Sequence, residues 1–354
     1  MSERVLCVRL DNAGDVLLMG PAVRAVAESG AEVVVLAGPQ GADAAKLLPG
    51  VSRTLIWRCP WVDPDPAPID RDDIAGLVEV LRRLDCDRAL VFTSFHQSPL
   101  PIALVLRLAG VSWIGAISED YPGSLLDLRC RIRDDLPEPE RALSLARAAG
   151  FGLGAGDGGE LEVRHPLPSV DRLTGAGPYV VLHPGTSVPA RAWPPHRYVE
   201  TAHRLSEAGH RVVVTGSPAE TGLTKLVAGD VGTDLGGRTS LAELAAVLDQ
   251  AEAVVVGNTG PAHLAAAVGA RVVSLFAPTV PAVRWAPYRT PHILLGDQHA
   301  PCRDLRVTHC PFPGHPCLSE VSADDVLSAL ADLGLHTRPT RRADRDHDFE
   351  EVVR

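Results

Sequence analysis

Val254-Val255-Val256-Gly257-Asn258-Thr259-Gly260-Pro261-Ala262-His263-Leu264-Ala265-Ala266-Ala267-Val268-Gly269 decides how this chain is read. Three β-branched residues make a buried strand, Gly257 and Asn258 break it, and Pro261 opens a run of helix formers that Gly269 closes. The pattern is strand, tight turn, helix. In an open parallel sheet such a junction lies at the carboxyl edge, where unpaired N–H groups and the helix dipole favour an anion. Thr259 adds a hydroxyl donor, Gly260 allows close approach, and His263 falls in the first helical turn. Two readings stand at this point: a phosphate cradle, or an ordinary βα turn with Asn258 as cap and Pro261 at the first helical position.

Strands and helices alternate outward from this stretch along nearly the whole chain, which predicts an α/β protein. A length of 354 residues with 45% hydrophobic content suits two cores, and 4% aromatics makes those cores aliphatic. The formal net charge of -10 argues against nucleic acid or an anionic membrane as the dominant partner. Arg9 interrupts the apolar run Val5 to Leu10, so no signal peptide or membrane span is expected there. The cysteines follow no framework spacing, which suggests reduced thiols in cytoplasm. Cys302, Cys310 and Cys317 are interleaved with His299, His309 and His315, but no paired C-x-x-C supports zinc. No metal is assigned there; a loop disulfide or free thiols are the readings.

In the first half, Val5 to Leu10 reads as a strand and Val16 to Ser29 as a helix, joined by Asp11-Asn12-Ala13-Gly14-Asp15. Gly14 permits a sharp turn, and Asp15 falls at the helix amino end, at the mouth of any cleft above the sheet. A carboxylate there is either a general base or an acid held by the helix dipole. The strand Ala89 to Phe92 ends in Thr93-Ser94-Phe95-His96-Gln97-Ser98, a polar cluster where a second substrate could bind, although His96 also fits an ordinary loop residue. The small-residue segment Gly150 to Gly159 and the loop-rich Pro166 to Gly177 mark the boundary between halves.

The second half restarts the pattern. Tyr179 to Leu182 is a strand ending in His183-Pro184-Gly185-Thr186-Ser187, a turn of small donors. Arg191 then either forks onto phosphate oxygens or is a surface arginine. After the strand Arg211 to Thr215, Glu220 either accepts from ribose hydroxyls or serves as an N-terminal helix acid. Ser240 and Glu243 match a capping box before the helix Leu241 to Gln250, so Asp234 to Ser240 reads as a capping loop.

Taken together, Arg9-Leu10-Asp11-Asn12-Ala13-Gly14-Asp15-Val16-Leu17, His183 to Ser187 with Arg191-Ala192-Trp193-Pro194, Gly236-Gly237-Arg238-Thr239-Ser240 and Asn258 to Leu264 resemble the glycosyltransferase family 9 heptosyltransferases. The resemblance implies a GT-B fold: two Rossmann-like domains with parallel sheets facing across a cleft. It places an acceptor-side domain at 1–165 and a donor-binding domain at 178–335, while the charged composition of 336–354 reads as a disordered tail. It also implies transfer of a sugar, here heptose from ADP-heptose, to a sugar hydroxyl with inversion and with neither metal nor cofactor. Asp15 matches the family's proposed base. Thr186, Ser187, Arg191, Glu220, Asn258, Thr259, Gly260, Pro261 and His263 fall on the donor side, and Asn12, Gly14, His96 and Gln97 on the acceptor side. The family often carries Lys at the Arg191 position, Asp at the Asn258 position and an acid near Val280.

The implied partners are a nucleotide-sugar donor and a glycan or glycoside acceptor, such as a lipopolysaccharide core. Membrane contact and oligomeric state stay open. The rivals are another GT-B enzyme acting on UDP- or GDP-sugars, as transferase or epimerase, and a non-catalytic nucleotide-sugar binder, which Asp15 counts against. A nicotinamide enzyme is disfavoured because neither half opens with G-x-G-x-x-G.

Overall fold

In a computed structural model, which describes residues 2–63 and 65–335, the chain builds two six-stranded sheets. The first holds β1 (Arg4–Arg9), β2 (Glu32–Ala37), β3 (Val51–Ile56), β4 (Arg88–Val91), β5 (Trp113–Ile117) and β6 (Leu128–Cys130). The second holds β7 (Tyr179–His183), β8 (Arg211–Val214), β9 (Gly232–Asp234), β10 (Ala253–Gly257), β11 (Val272–Leu275) and β12 (His292–Leu295). Every strand pair is parallel. The orders are β3-β2-β1-β4-β5-β6 and β12-β11-β10-β7-β8-β9, so each half has the same doubly wound topology.

Alternation along the strands explains why both faces are covered. In β1, Val5 and Cys7 join one apolar core while Leu6 and Val8 join another. In β10, Val254 and Val256 share the core of Val5 and Cys7, whereas Ala253 and Val255 face the far side. One continuous core therefore runs through both halves, which locks the two sheets into a shared frame.

The winding order fixes where ligands can reach. Strand order reverses between β1 and β4 in the first sheet and between β7 and β10 in the second. Loops leaving the carboxyl ends of these four strands splay apart and leave a crevice. They are the loops after Arg9, Val91, His183 and Gly257, the turns that the sequence reading had selected.

Some elements differ from expectation. The helix expected over Val16 to Ser29 is two, Ala13–Leu18 and Gly20–Glu28, broken at Met19. Pro21 cannot donate a backbone hydrogen bond, so it begins a helix rather than continuing one. Ahead of the segment read as a capping loop, and sharing only Asp234 with it, lies β9, a three-residue edge strand too short to show periodicity. The expected tail 336–354 lies outside the described residues.

Candidate functional site

The helix Gly260–Ala267 is offset by one residue from the reading with Asn258 as cap and Pro261 first: Thr259 is the N-cap, Gly260 the first helical residue and Pro261 the second. Thr259 makes no side-chain cap hydrogen bond, so its hydroxyl is not used in closing the helix. Across from it, the helix Ala13–Leu18 begins after Asn12 and carries Asp15 in its first turn. The two helix starts meet nearly head to head. A Cβ on Gly14 would lie 3.0 Å from Gly260 Cα and 3.1 Å from His263 Cδ2, closer than an unadjusted side chain could stand. Glycine at position 14 lets the two backbones approach this closely without either having to shift.

Around this contact opens a cleft of about 430 Å³. Asn12, Gly14, Asp15, Ser94 and His96 line it from the first half, and Ser187, Arg191, Asn258, Thr259, Gly260, Pro261 and His263 from the second. The structure thus brings together most of the residues singled out from sequence. Thr186 is one residue outside this lining, with its hydroxyl accepting from Val188 N at 3.2 Å. Gln97 also stands outside it and donates to Asp11 Oδ1 at 2.6 Å. Glu220 closes a capping box on Ser217, its carboxylate accepting from Ser217 N at 2.7 Å, and packs against Gly185 away from the cleft lining.

The first-half wall is organised by Arg9, whose buried guanidinium faces three acids. Its Nε lies 2.7 Å from Asp11 Oδ2, an ion pair too poorly aligned to be a hydrogen bond. Its Nη2 donates to Asp15 Oδ1 at 2.8 Å and to Ser94 Oγ at 3.0 Å, and its Nη1 lies 3.8 Å from Glu138 Oε2. Burial opposes the Arg9 charge, but Asp11, Asp15 and Glu138 outweigh it and raise its pKa. Burial also raises the pKa of Asp11 and of Glu138 despite the pull of Arg9. Asp15 is the member that reaches the cleft. Its contacts with Arg9 and Ser94 both fall on Oδ1, which fixes the carboxylate while its other oxygen is not engaged by described residues.

The second-half wall also carries unpartnered buried atoms, as Arg9 Nε, Asp11 Oδ2 and Glu138 Oε1 are in the first, but here they lie outside the ion pairs found among the described residues. Asn258 Oδ1, His263 Nδ1 and Arg191 Nε are buried with no hydrogen-bond partner among the described residues. Three orphaned polar atoms on one wall are costly unless something polar meets them. Burial, reinforced by Arg191, pushes the His263 imidazole down to about 4, so it is neutral at ordinary pH. Burial lowers the pKa of Arg191 as well, though it stays a cation.

Sequence reasoning missed Arg9 as a hub, although a charge at the end of an apolar strand was its available signal. It also missed Trp285 and Arg306, which complete the cleft from the segments after β11 and after β12. Arg306 donates to His96 Nδ1 at 3.0 Å and lies 4.1 Å over the Phe95 ring, tying the halves together. Nothing in its loop sequence marked it. Cys302, Cys310 and Cys317 are free thiols, and no group of three or more metal-capable side chains occurs among the described residues. No helix among the described residues is long and apolar enough to cross a membrane.

Two parallel sheets of one topology, meeting at a cleft between their switch points, define the GT-B class of sugar-transferring folds. The chain belongs to glycosyltransferase family 9 (heptosyltransferase), whose family model matches residues 75–314. It is 38% identical over 138 residues to lipopolysaccharide heptosyltransferase 1 of Pseudomonas aeruginosa, covering 38% of this chain and 39% of that protein. It is 27% identical over 268 residues to lipopolysaccharide heptosyltransferase 2 of Escherichia coli, covering 66% and 74%. An E. coli heptosyltransferase solved with ADP-2-deoxy-2-fluoro heptose superposes with a TM-score of 0.72 at 21% identity, covering 93% of this chain and 99% of that one.

Proposed function

We propose that this chain moves heptose from ADP-heptose to a hydroxyl of a glycan or glycoside acceptor, with inversion at the anomeric carbon. Residues 1–165 would present the acceptor and residues 178–335 the donor. The observation that carries the reading is the opposition, across one cleft, of an anchored carboxylate at Asp15 and a wall of orphaned polar groups at Arg191, Asn258 and His263.

The chemistry follows from that opposition. Asp15 takes the acceptor proton as the acceptor oxygen attacks the anomeric carbon, and the bond from that carbon to the diphosphate oxygen breaks on the opposite face. The departing electron pair stays on the diphosphate. Arg191 and the helix start at Gly260 offset the charge that develops there, and neutral His263 supplies a hydrogen bond rather than a second cation. Arg191 provides forked donors where the family often has Lys. Asn258, where the family often has Asp, removes a negative charge from beside the phosphates. Thr259 and Ser187 add hydroxyls on the same wall, and Glu220 and Thr186 would meet the nucleoside at its margin. On the acceptor side, Asn12, His96 and Gln97 surround the approach to Asp15.

Calorimetric titration with ADP, UDP and GDP, followed by product analysis with ADP-heptose, tests the donor. ADP is expected to bind best. Tighter binding of UDP or GDP would transfer the case to another GT-B activity, and no binding of any of them would end the transferase reading.

A further inference from the structure

A second cavity, of about 370 Å³, opens in the first half beside the cleft, and His96 lines both. Its floor is the carboxyl end of the sheet, with Val8, Leu10, Val91 and Phe92, and its walls include Ile102 and Trp61. No Lys, Arg, Asp or Glu is among its lining residues. Trp61 is set in place by Trp57, whose ring packs edge-on against it at 5.3 Å between centroids and whose Nε1 donates to Asp73 at 2.9 Å. Thr93 lines the same space, 9% exposed as a residue, and its hydroxyl is buried without a hydrogen-bond partner among the described residues.

The charges around the cavity are acidic or already engaged. Asp63, next to lining residue Val62, holds Arg58 at 2.9 Å, Asp11 holds Arg9, and Arg306 donates to His96. An anionic group inside the cavity would meet an uncharged wall, because Arg306 stands outside it in the neighbouring cleft, and no lining residue would offset its desolvation. An apolar ring would instead bury its surface against Trp61 and the aliphatic floor, and one polar substituent would meet Thr93.

From this juxtaposition we infer that the acceptor carries an uncharged, apolar ring system beside its nucleophilic hydroxyl, seated in the Trp61–Thr93 cavity while the hydroxyl reaches Asp15. The inference rests on the transferase reading given above, and it narrows the acceptor from any glycan to a glycoside with an aromatic or alicyclic aglycone. Cavities of this size hold a bicyclic body.

The test titrates the full chain with naphthyl β-glucoside, methyl β-glucoside and methyl glucuronide, each with and without ADP. The naphthyl compound is expected to bind at least about tenfold tighter than the methyl glucoside, because of the added apolar area, and the glucuronide no tighter than the methyl glucoside. In Trp61→Ala the naphthyl preference should vanish while ADP affinity is kept. Thr93→Val, which keeps the shape, should retain that preference but lose the extra affinity gained from a hydroxyl on the naphthyl ring. Equal affinity for the two glucosides, tighter binding of the glucuronide, or a preference that survives Trp61→Ala overturns the inference. A ring-hydroxyl gain that survives Thr93→Val removes Thr93 from it. The ADP arm keeps the two proposals apart: ADP binding without a naphthyl preference sinks this inference alone. A naphthyl preference without ADP binding sinks the transferase reading and leaves an apolar ligand site.

Discussion

The two βα turns that face each other at Gly14 and Gly260 are built from opposite principles. In the first-half turn, buried atoms such as Arg9 Nε, Asp11 Oδ2 and Glu138 Oε1 also lack hydrogen-bond partners among the described residues, but they belong to opposite charges that face one another: Arg9 is surrounded by Asp11, Asp15 and Glu138, and the one acid that reaches the cleft is anchored by it. In the second-half turn, Asn258, His263 and Arg191 keep buried polar atoms without partners. Identical sheet topology thus supports a wall of ion-paired charges on one side and a wall of polar groups outside any ion pair, which a polar guest would complete, on the other. The lesson is that symmetry of fold does not imply symmetry of chemistry, because the loops at a switch point are free to differ once the strands have placed them.

The sharpest break of this contrast is Arg9→Met. It leaves buried carboxylates without their cation, and unfolding in urea should show a loss of about 3–5 kcal/mol. A change below about 1 kcal/mol would mean that the acids, not the arginine, organise that wall. Asp15→Ala should spare the fold and lower turnover by at least about a hundredfold while ADP affinity stays near normal. Near-normal turnover would remove Asp15 from the base role.

The pH dependence separates the walls by sign. His263 and His183, each pushed down by burial to about 4, are neutral when folded and take up protons on unfolding below their ordinary value. Their contribution is therefore whole above about pH 6.5 and is lost as pH falls towards 4, by roughly 2 kcal/mol each between about pH 7 and about pH 5. Asp11 and Glu138, with raised pKa, act in the other direction: the folded chain holds their protons more tightly, so their contribution to stability grows as pH falls into the carboxylate range. Thermal unfolding across this range should show the acid loss roughly halved in His263→Asn. An unchanged slope would show that His263 is not held neutral. The smallest expected effect is in Arg191→Ala, which should weaken ADP by about tenfold, read by calorimetry, with thermal stability little changed. Unaltered ADP affinity would place the diphosphate elsewhere.

How much of this was legible beforehand follows from what kind of signal each residue carries. Val254 to Gly269 announced its strand, turn and helix through β-branched residues, a glycine and a proline, all local preferences. Asp15 and His263 were legible as residues in the first turn of helices that follow strands. Arg306 carried no such mark, because its place in the cleft depends on a loop after β12 lying against Phe95 and His96 in the other half. Glu138 stands in the first turn of its helix, where an acid is common, and only the packing of that helix buries it near Arg9.

The sequence by itself determined the parallel α/β class, the two repeats of the winding and the turns that would carry chemistry, since these depend on periodicity and on which residues can break it. Only the tertiary structure decided that Gly14 and Gly260 touch, that Arg9 gathers three acids, and that an uncharged cavity opens beside His96. Those facts depend on distances between segments remote in the chain, which arise when apolar faces from both halves merge into one core.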